Sequence, residues 1–321
     1  MQHRRRWSAE LSAAPVPPPN PPLPGWAERH AALAALAQRQ LFFIGACPRS
    51  GTTWLQMLLD AHPQVSCRGE GHYPDSFGPK LHKAATEHNA LLERKNRTIL
   101  AEIGGYPKIE APDLVHLLTT AILLGIDRQL QARPDRGAPC RAVGEKTPDN
   151  VRWFTDLRQA FPQAKFIHLV RDPRDILVSA WFHNLRLNPD WPTKHELQSF
   201  VRDNLKLVEQ DVRLGERFGA AFPANYLCVS YETLTDAPDA TALRLFDFLG
   251  VDATAGLAAG CVAAARFERL SGGRARGEAA AGSHFRKGVV GGWRDLLSPE
   301  TNRYIVEHAG WMLARYGWPH S

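Results

Sequence analysis

The residues with the most chemistry to offer are Arg49-Ser50-Gly51-Thr52-Thr53. They follow the apolar run Leu41 to Ile44 and a turn marked by Gly45, Pro48 and Gly51, and they lead into Trp54-Leu55-Gln56-Met57-Leu58-Leu59. Strand, tight turn and helix start together make an anion site, because the first helical turn offers free N–H groups and the positive end of the helix dipole. Arg49 adds a fixed positive charge, and Ser50, Thr52 and Thr53 add hydroxyl donors. A second cluster, Arg171-Asp172-Pro173-Arg174-Asp175, follows the apolar run Lys165 to Val170, with Ser179 eight residues after Arg171. That spacing is about two helical turns, so both side chains can converge on one phosphate. A surface Arg-Asp ion-pair cluster would explain the run alone; its place after a buried strand favours the site. A third basic stretch is Phe285-Arg286-Lys287-Gly288-Val289-Val290-Gly291-Gly292-Trp293.

The elements that must hold these groups alternate in type. Helices are expected over 26–38, from Thr52 and closed by Asp60-Ala61-His62-Pro63, over 112–130, 151–159, 176–187, 195–218 and 240–249 (closed by Gly250), and over 299–315. Strands are expected at 41–44, 65–67, 142–146, 165–170 and, as a third confident buried strand, 226–230. Residues 76–110 carry many basic and His residues with weak periodicity and read as short helices and loops. Residues 272–282, rich in Gly, Ala and Arg, read as a mobile loop. Strands alternating with helices imply an α/β fold, one domain with a central, mostly parallel sheet flanked by helices and a P-loop-like nucleotide-binding core. Residues 1–25, with a proline-rich stretch from Pro15 to Pro24, read as an extended or disordered arm, and 26–321 as the domain.

Composition narrows the class. The chain has 321 residues, 44% of them hydrophobic, enough for a sizeable core. A net charge of +6 and a pI near 9.2 suit an enzyme with an anionic ligand and do not by themselves point to nucleic acid. No apolar run approaches the ~18 residues needed to cross a bilayer. The five cysteines are scattered without metal-binding spacing. Together with the lack of an apolar run after Arg4-Arg5-Arg6, they favour a reduced, cytoplasmic setting, and the Ala/Arg-rich composition suits a bacterial one. Nothing in the sequence fixes an oligomeric state.

The first loop is not a Walker A motif, because its cation precedes the second Gly and no Lys follows; nor is it the dinucleotide Gly-x-Gly-x-x-Gly. It resembles the 5′-phosphosulfate loop of sulfotransferases that use 3′-phosphoadenosine 5′-phosphosulfate (PAPS). Cytosolic members usually have Lys where Arg49 stands. Protein-tyrosine sulfotransferases have Arg, and their loop runs on into a segment like Leu59-Asp60-Ala61-His62-Pro63. Arg171 with Ser179 resembles the family's 3′-phosphate motif. Arg286-Lys287-Gly288 resembles the segment that closes over that phosphate, although Gly292 stands where Asp is usual. The resemblance further implies that Gly51, Thr52, Thr53 and Trp54 bind cofactor, that Tyr231 meets the adenine, and that Phe267 pairs with Trp54 around the ring. It implies PAPS as co-substrate and no metal, since Arg and Lys take the place of Mg²⁺.

The same resemblance frames the chemistry as in-line transfer to a hydroxyl or amine acceptor. Arg49 and Lys146, in Gly144-Glu145-Lys146-Thr147-Pro148, are the expected cations at the bridging oxygen. The His used by cytosolic members after this strand is replaced by Thr147-Pro148-Asp149. Glu70, 21 residues after Arg49, stands at the offset of the catalytic Glu of the tyrosylprotein branch, with His72 as the reserve base and His62 structural. The acceptor is expected to be a small molecule, glycan or peptide. The competing readings are a P-loop kinase or nucleotidase using ATP, and a non-catalytic binding module.

Overall fold

The structure, a computed structural model, describes residues 25–134, 139–278 and 287–320. The chain runs through α1 (Trp26–Ala37), β1 (Gln40–Ala46), α2 (Thr52–Asp60), β2 (Val65–Arg68), a single π-helical turn (Tyr73–Phe77), α3 (Gly78–Arg97) and α4 (Ala111–Gln131). Then come β3 (Ala142–Lys146), a 3-10 turn (Pro148–Trp153), α5 (Phe154–Ala160), β4 (Lys165–Val170), α6 (Pro173–Leu187), α7 (Trp191–Lys194) and α8 (Leu197–Ala221). The last part holds β5 (Tyr226–Ser230), α9 (Tyr231–Asp236), α10 (Pro238–Leu249), α11 (Ala255–Ala264), α12 (Phe267–Leu270) and α13 (Pro299–Tyr316).

The strands form one sheet in the order β2-β3-β1-β4-β5, and all four pairings are parallel. β1 is buried on both faces, which is why it reads as an unbroken apolar run. Phe42 and Ile44 share a cluster with Leu55 and Leu58 of α2, Leu245 and Phe246 of α10 and Ala258 of α11. Leu41 and Phe43 point the other way, into a cluster with Leu36 of α1, Ile122 and Ile126 of α4 and Leu157 of α5. A further cluster joins α6, α8 and α13 around Ile176, Leu205 and Met312. Register brings the carboxyl ends of four strands to one edge: Ile44 lies beside Lys146, Arg68 beside Glu145, and Ala46 beside Leu169. Ligands of open α/β sheets sit at that edge, where strand order turns about β1.

Three expectations need correction. Residues 78–97 are one 20-residue helix, not short helices and loops; only Ala85 and Leu92 of it are buried, so its sequence carries almost no apolar period. Residues 151–159 begin as a 3-10 turn and become α-helical at Phe154. β5 is an edge strand with Val229 its one buried residue, rather than a buried strand. The proline-rich arm and residues 279–282 of the Gly-rich stretch lie outside the described residues. No helix among the described residues is long and apolar enough to cross a membrane.

Candidate active site

The loop between β1 and α2 is shaped by its own backbone. The Ser50 N–H and hydroxyl both donate to the Cys47 carbonyl, at 3.2 and 2.7 Å. Ser50 is therefore buried and turned inward, whereas it was expected among the cofactor-binding side chains. Gly51, in the left-handed region at φ 100°, is the N-cap of α2, and no side chain caps that helix start. A Cβ on Gly51 would stand 2.6 Å from the Tyr231 ring, so glycine is needed for both conformation and space. Arg49, Gly51, Thr52, Thr53 and Trp54 line a cleft of about 440 Å³.

The same cleft gathers most of the other expected residues. Glu70, Arg171, Ser179, Tyr231, Phe267, Lys287 and Gly288 all line it. Arg286 lies outside the described residues. Arg171, at the end of β4, donates to the carbonyls of Arg49 (3.3 Å) and Val289 (3.0 Å), and its guanidinium lies 4.2 Å above the Tyr231 ring. It therefore braces the first loop against the segment after Lys287. Its Nε is buried with no hydrogen-bond partner among the described residues. The α6 start is fixed by Pro173 and by Asp172, which accepts from the Arg174 N–H; this aims Ser179 along the helix into the cleft. Trp54 donates its indole N–H to Ala265, just before α12 brings in Phe267, and Gly288 lies against the Phe267 ring.

The opposite part of the cleft is built by the ends of β2 and β3. Gly69 passes so close to Lys146 that a Cβ there would meet its carbonyl oxygen at 2.0 Å. Glu70 follows, half-exposed, and accepts from Lys146 Nζ at 2.5 Å. Lys146 itself is buried, 3% exposed, and is not on the cleft wall. Beneath them Glu145 accepts from the Gly71 N–H (2.9 Å), the Thr147 hydroxyl (2.7 Å) and the Asn150 amide (2.7 Å). His62, as expected, is structural: fully buried, it accepts the Gln64 N–H and bonds the Asp252 carbonyl, and burial pushes its pKa down.

Several contributors escaped the sequence reading. Asp175 is buried and accepts the N–H groups of Gly291 (2.7 Å) and Trp293 (3.1 Å), clamping the strap that carries Lys287 and Gly288. Burial raises its pKa, opposed by Arg171 and these N–H donors. Glu145 and Asn150 act across strands, which no local pattern records. His183 and Asn184 line the cleft one turn beyond Ser179, a spacing that the helical period could have flagged. Burial, then Arg49 and Arg186, lower the His183 pKa. Arg276, also on the wall, has its guanidinium 5.2 Å from the Trp54 ring. Among the described residues His72, Asp75 and Asp149 bring three ligand-type atoms within 4.8 Å of one another. His72 already faces Asp75 and Glu70, and Asp149 pairs with Arg152 at 2.7 Å, so internal ion pairs occupy this set.

The model of the sulfotransferase family matches residues 42–255. Protein-tyrosine sulfotransferase A of Caenorhabditis elegans is 27% identical over 216 residues, 65% of this chain and 49% of that protein. The protein-tyrosine sulfotransferase of Drosophila melanogaster is 26% identical over 214 residues, 66% of this chain and 38% of that protein. The match thus spans half of those relatives' length or less. The crystal structure of mouse sulfotransferase SULT7A1 complexed with PAP shares the fold, with a TM-score of 0.55 at 20% identity, covering 89% of this chain and 92% of that one.

Proposed function

Because the chain belongs to the sulfotransferase family, we propose that it moves a sulfuryl group from PAPS to a hydroxyl acceptor, with Glu70 as general base. One observation carries the reading: a single cleft holds two cationic positions, one at the Arg49 loop and one formed by Arg171 and Lys287. A nucleotide with phosphates on both its 3′ and 5′ sides needs two such positions, and ATP does not. The residues present fit such a ligand. Arg171 Nε is buried without a partner among the described residues, and Trp54, Tyr231 and Phe267 supply aromatic surface for a base. Bound there, PAPS would supply the sulfuryl group and depart as adenosine 3′,5′-bisphosphate.

The chain's own part is charge and proton handling. Glu70 reaches the cleft and takes the proton from the acceptor oxygen. Arg49 holds positive charge on the leaving side. Lys146 is engaged with Glu70. Once Glu70 has taken the acceptor proton, that ion pair loses its negative partner and leaves the positive charge of the buried ammonium next to the base. The Glu-type base supports a polypeptide, carbohydrate or alcohol acceptor over small free phenols. Relatives named protein-tyrosine sulfotransferases favour the polypeptide, whose tyrosine hydroxyl is a phenol held on a chain.

The test is ligand protection against heat. Adenosine 3′,5′-bisphosphate should raise Tm and ATP-Mg²⁺ should not; the reverse pattern would refute a 3′-phosphate site. Glu70→Gln should keep that protection and lose transfer of label from PAPS.

A further inference from the structure

Glu70 has a nitrogen of a basic side chain beside each of its oxygens. Lys146 holds Oε1 at 2.5 Å, and His72 Nε2 stands 3.4 Å from Oε2. The other imidazole nitrogen, Nδ1, is 2.7 Å from Asp75 Oδ2. Asp75, His72, Glu70 and Lys146 therefore form one chain of alternating charge when the imidazole is protonated. Glu70 lines the cleft and His72 does not, so the ring meets the carboxylate away from the cleft wall. The His72 backbone is fixed as well: it has φ 48°, in the left-handed region, and its N–H donates to Thr147 Oγ1 at 3.4 Å.

We propose that His72 is a positioning residue for Glu70: oriented by Asp75, it fixes one carboxylate oxygen while Lys146 fixes the other. The inference rests on Glu70 being the base. The geometry suits the imidazolium, in which both nitrogens are donors and both meet a carboxylate. The hydrogen bond to Asp75 raises the His72 pKa; burial opposes this, and the charges of Asp75, Glu70 and Asp149 add to it. Once the ring is neutral, one nitrogen turns a lone pair towards a carboxylate, and either Asp75 or Glu70 is released.

The groups facing the ring come from every side. Glu70 is on its own loop and Asp75 on the π-helical turn. Asp149, paired with Arg152, is on the 3-10 turn. From α3, Lys80 reaches Ser76 on the same turn, and α4 approaches through Gly125, against the Tyr73 hydroxyl. The hold on Glu70 should therefore be full below the usual His pKa of about 6.5 and fade as pH rises through the raised value.

The test is NMR on the full chain with ¹³C-labelled His and Glu, which needs no acceptor. In the wild type the His72 ring should titrate above 6.5, and the Glu70 carboxylate carbon should shift with the same midpoint. Asp75→Asn and Glu70→Gln should each lower the His72 midpoint, and His72→Gln should abolish that step at Glu70. These side chains are partly exposed and the replacements keep their size, so the spectra themselves report an intact fold. A Glu70 signal indifferent to His72, or a His72 midpoint unmoved by Asp75→Asn, overturns the proposal. Sulfuryl transfer that survives Glu70→Gln would instead overturn the choice of base, and the two failures are told apart.

Discussion

Asp175 is the side chain whose loss should most directly separate strap closure from general stability. Its carboxylate accepts two backbone N–H groups of the strap, from Gly291 and Trp293, and lies 3.7 Å from Arg171 Nη2. A hydrogen bond to a charged group contributes ~1.5–3 kcal/mol, and a buried donor left alone forfeits a similar amount. Asp175→Ala removes both acceptors, yet the strap can recover water by lifting, so the net cost should be about 3 kcal/mol. Asp175→Asn keeps the shape and one oxygen but turns an N–H₂ towards one of the two donors, and should cost roughly half of that. Half is about 1.5 kcal/mol, or roughly tenfold in an equilibrium constant. The strap carries Lys287 and Gly288, the residues assigned to the 3′-phosphate. The loss should therefore appear as a roughly tenfold weaker Kd for adenosine 3′,5′-bisphosphate by calorimetry, with AMP binding nearly unchanged. A variant that binds both ligands as the wild type does, or loses both equally, would refute the assignment of the strap to that phosphate.

Two further outcomes follow from packing and burial. Gly51→Ala should lower Tm and nucleotide affinity far more than Gly250→Ala: both glycines have positive φ, but a Cβ at 51 strikes the Tyr231 ring whereas nothing lies within 4 Å of one at 250. Equal losses would mean that backbone strain alone is at work. His168 is fully buried, and burial pushes its pKa down to about 3. Its folded-state pKa is depressed, so the stability it contributes is complete above about pH 6.5 and is lost as pH falls towards 3, on the order of 5 kcal/mol at the limit. Urea midpoints measured from pH 7 to pH 4 should fall more steeply for the wild type than for His168→Gln, and parallel slopes would contradict this.

What the sequence disclosed and what it hid follow the physics of each segment. Lys165–Val170 and Tyr226–Ser230 are legible with their ends, since short, largely apolar runs bounded by turn residues leave few alternatives, and Ala142–Lys146 ends where Thr147-Pro148 breaks the chain. Their burial was less legible: β5 has the composition of a core strand but lies at the edge. Helix α3 was hidden because a helix that buries only Ala85 and Leu92 shows no stripe. At the site, Arg49 and Arg171 announce themselves by charge beside strand ends, whereas Glu70 is singled out only by its 21-residue offset from Arg49 in the family resemblance. Glu145 and Asp175 do not, because an acid that serves as an acceptor for backbone N–H groups 74 or 116 positions away looks locally like any other acid. The Ser50 hydroxyl donates to the Cys47 carbonyl, a direction that composition does not record.

The excursion between β2 and β3 bears on how this chain can change. Glu70 and Lys146 meet although 76 positions part them, and most of that span is the pair α3 and α4. The far end of the pair is tied to itself, with Asn89 bonded to Ile109 and Asn96 to Tyr106, each through both amide groups. The entropy of closing a loop rises only with the logarithm of its length, by about 0.6 kcal/mol per doubling. Lengthening or trimming the excursion beyond those asparagine ties is thus almost free in chain entropy, while the strand register at its base keeps the acid and the ammonium together. Inherited insertions and deletions can collect there at little thermodynamic expense, leaving the reacting pair untouched.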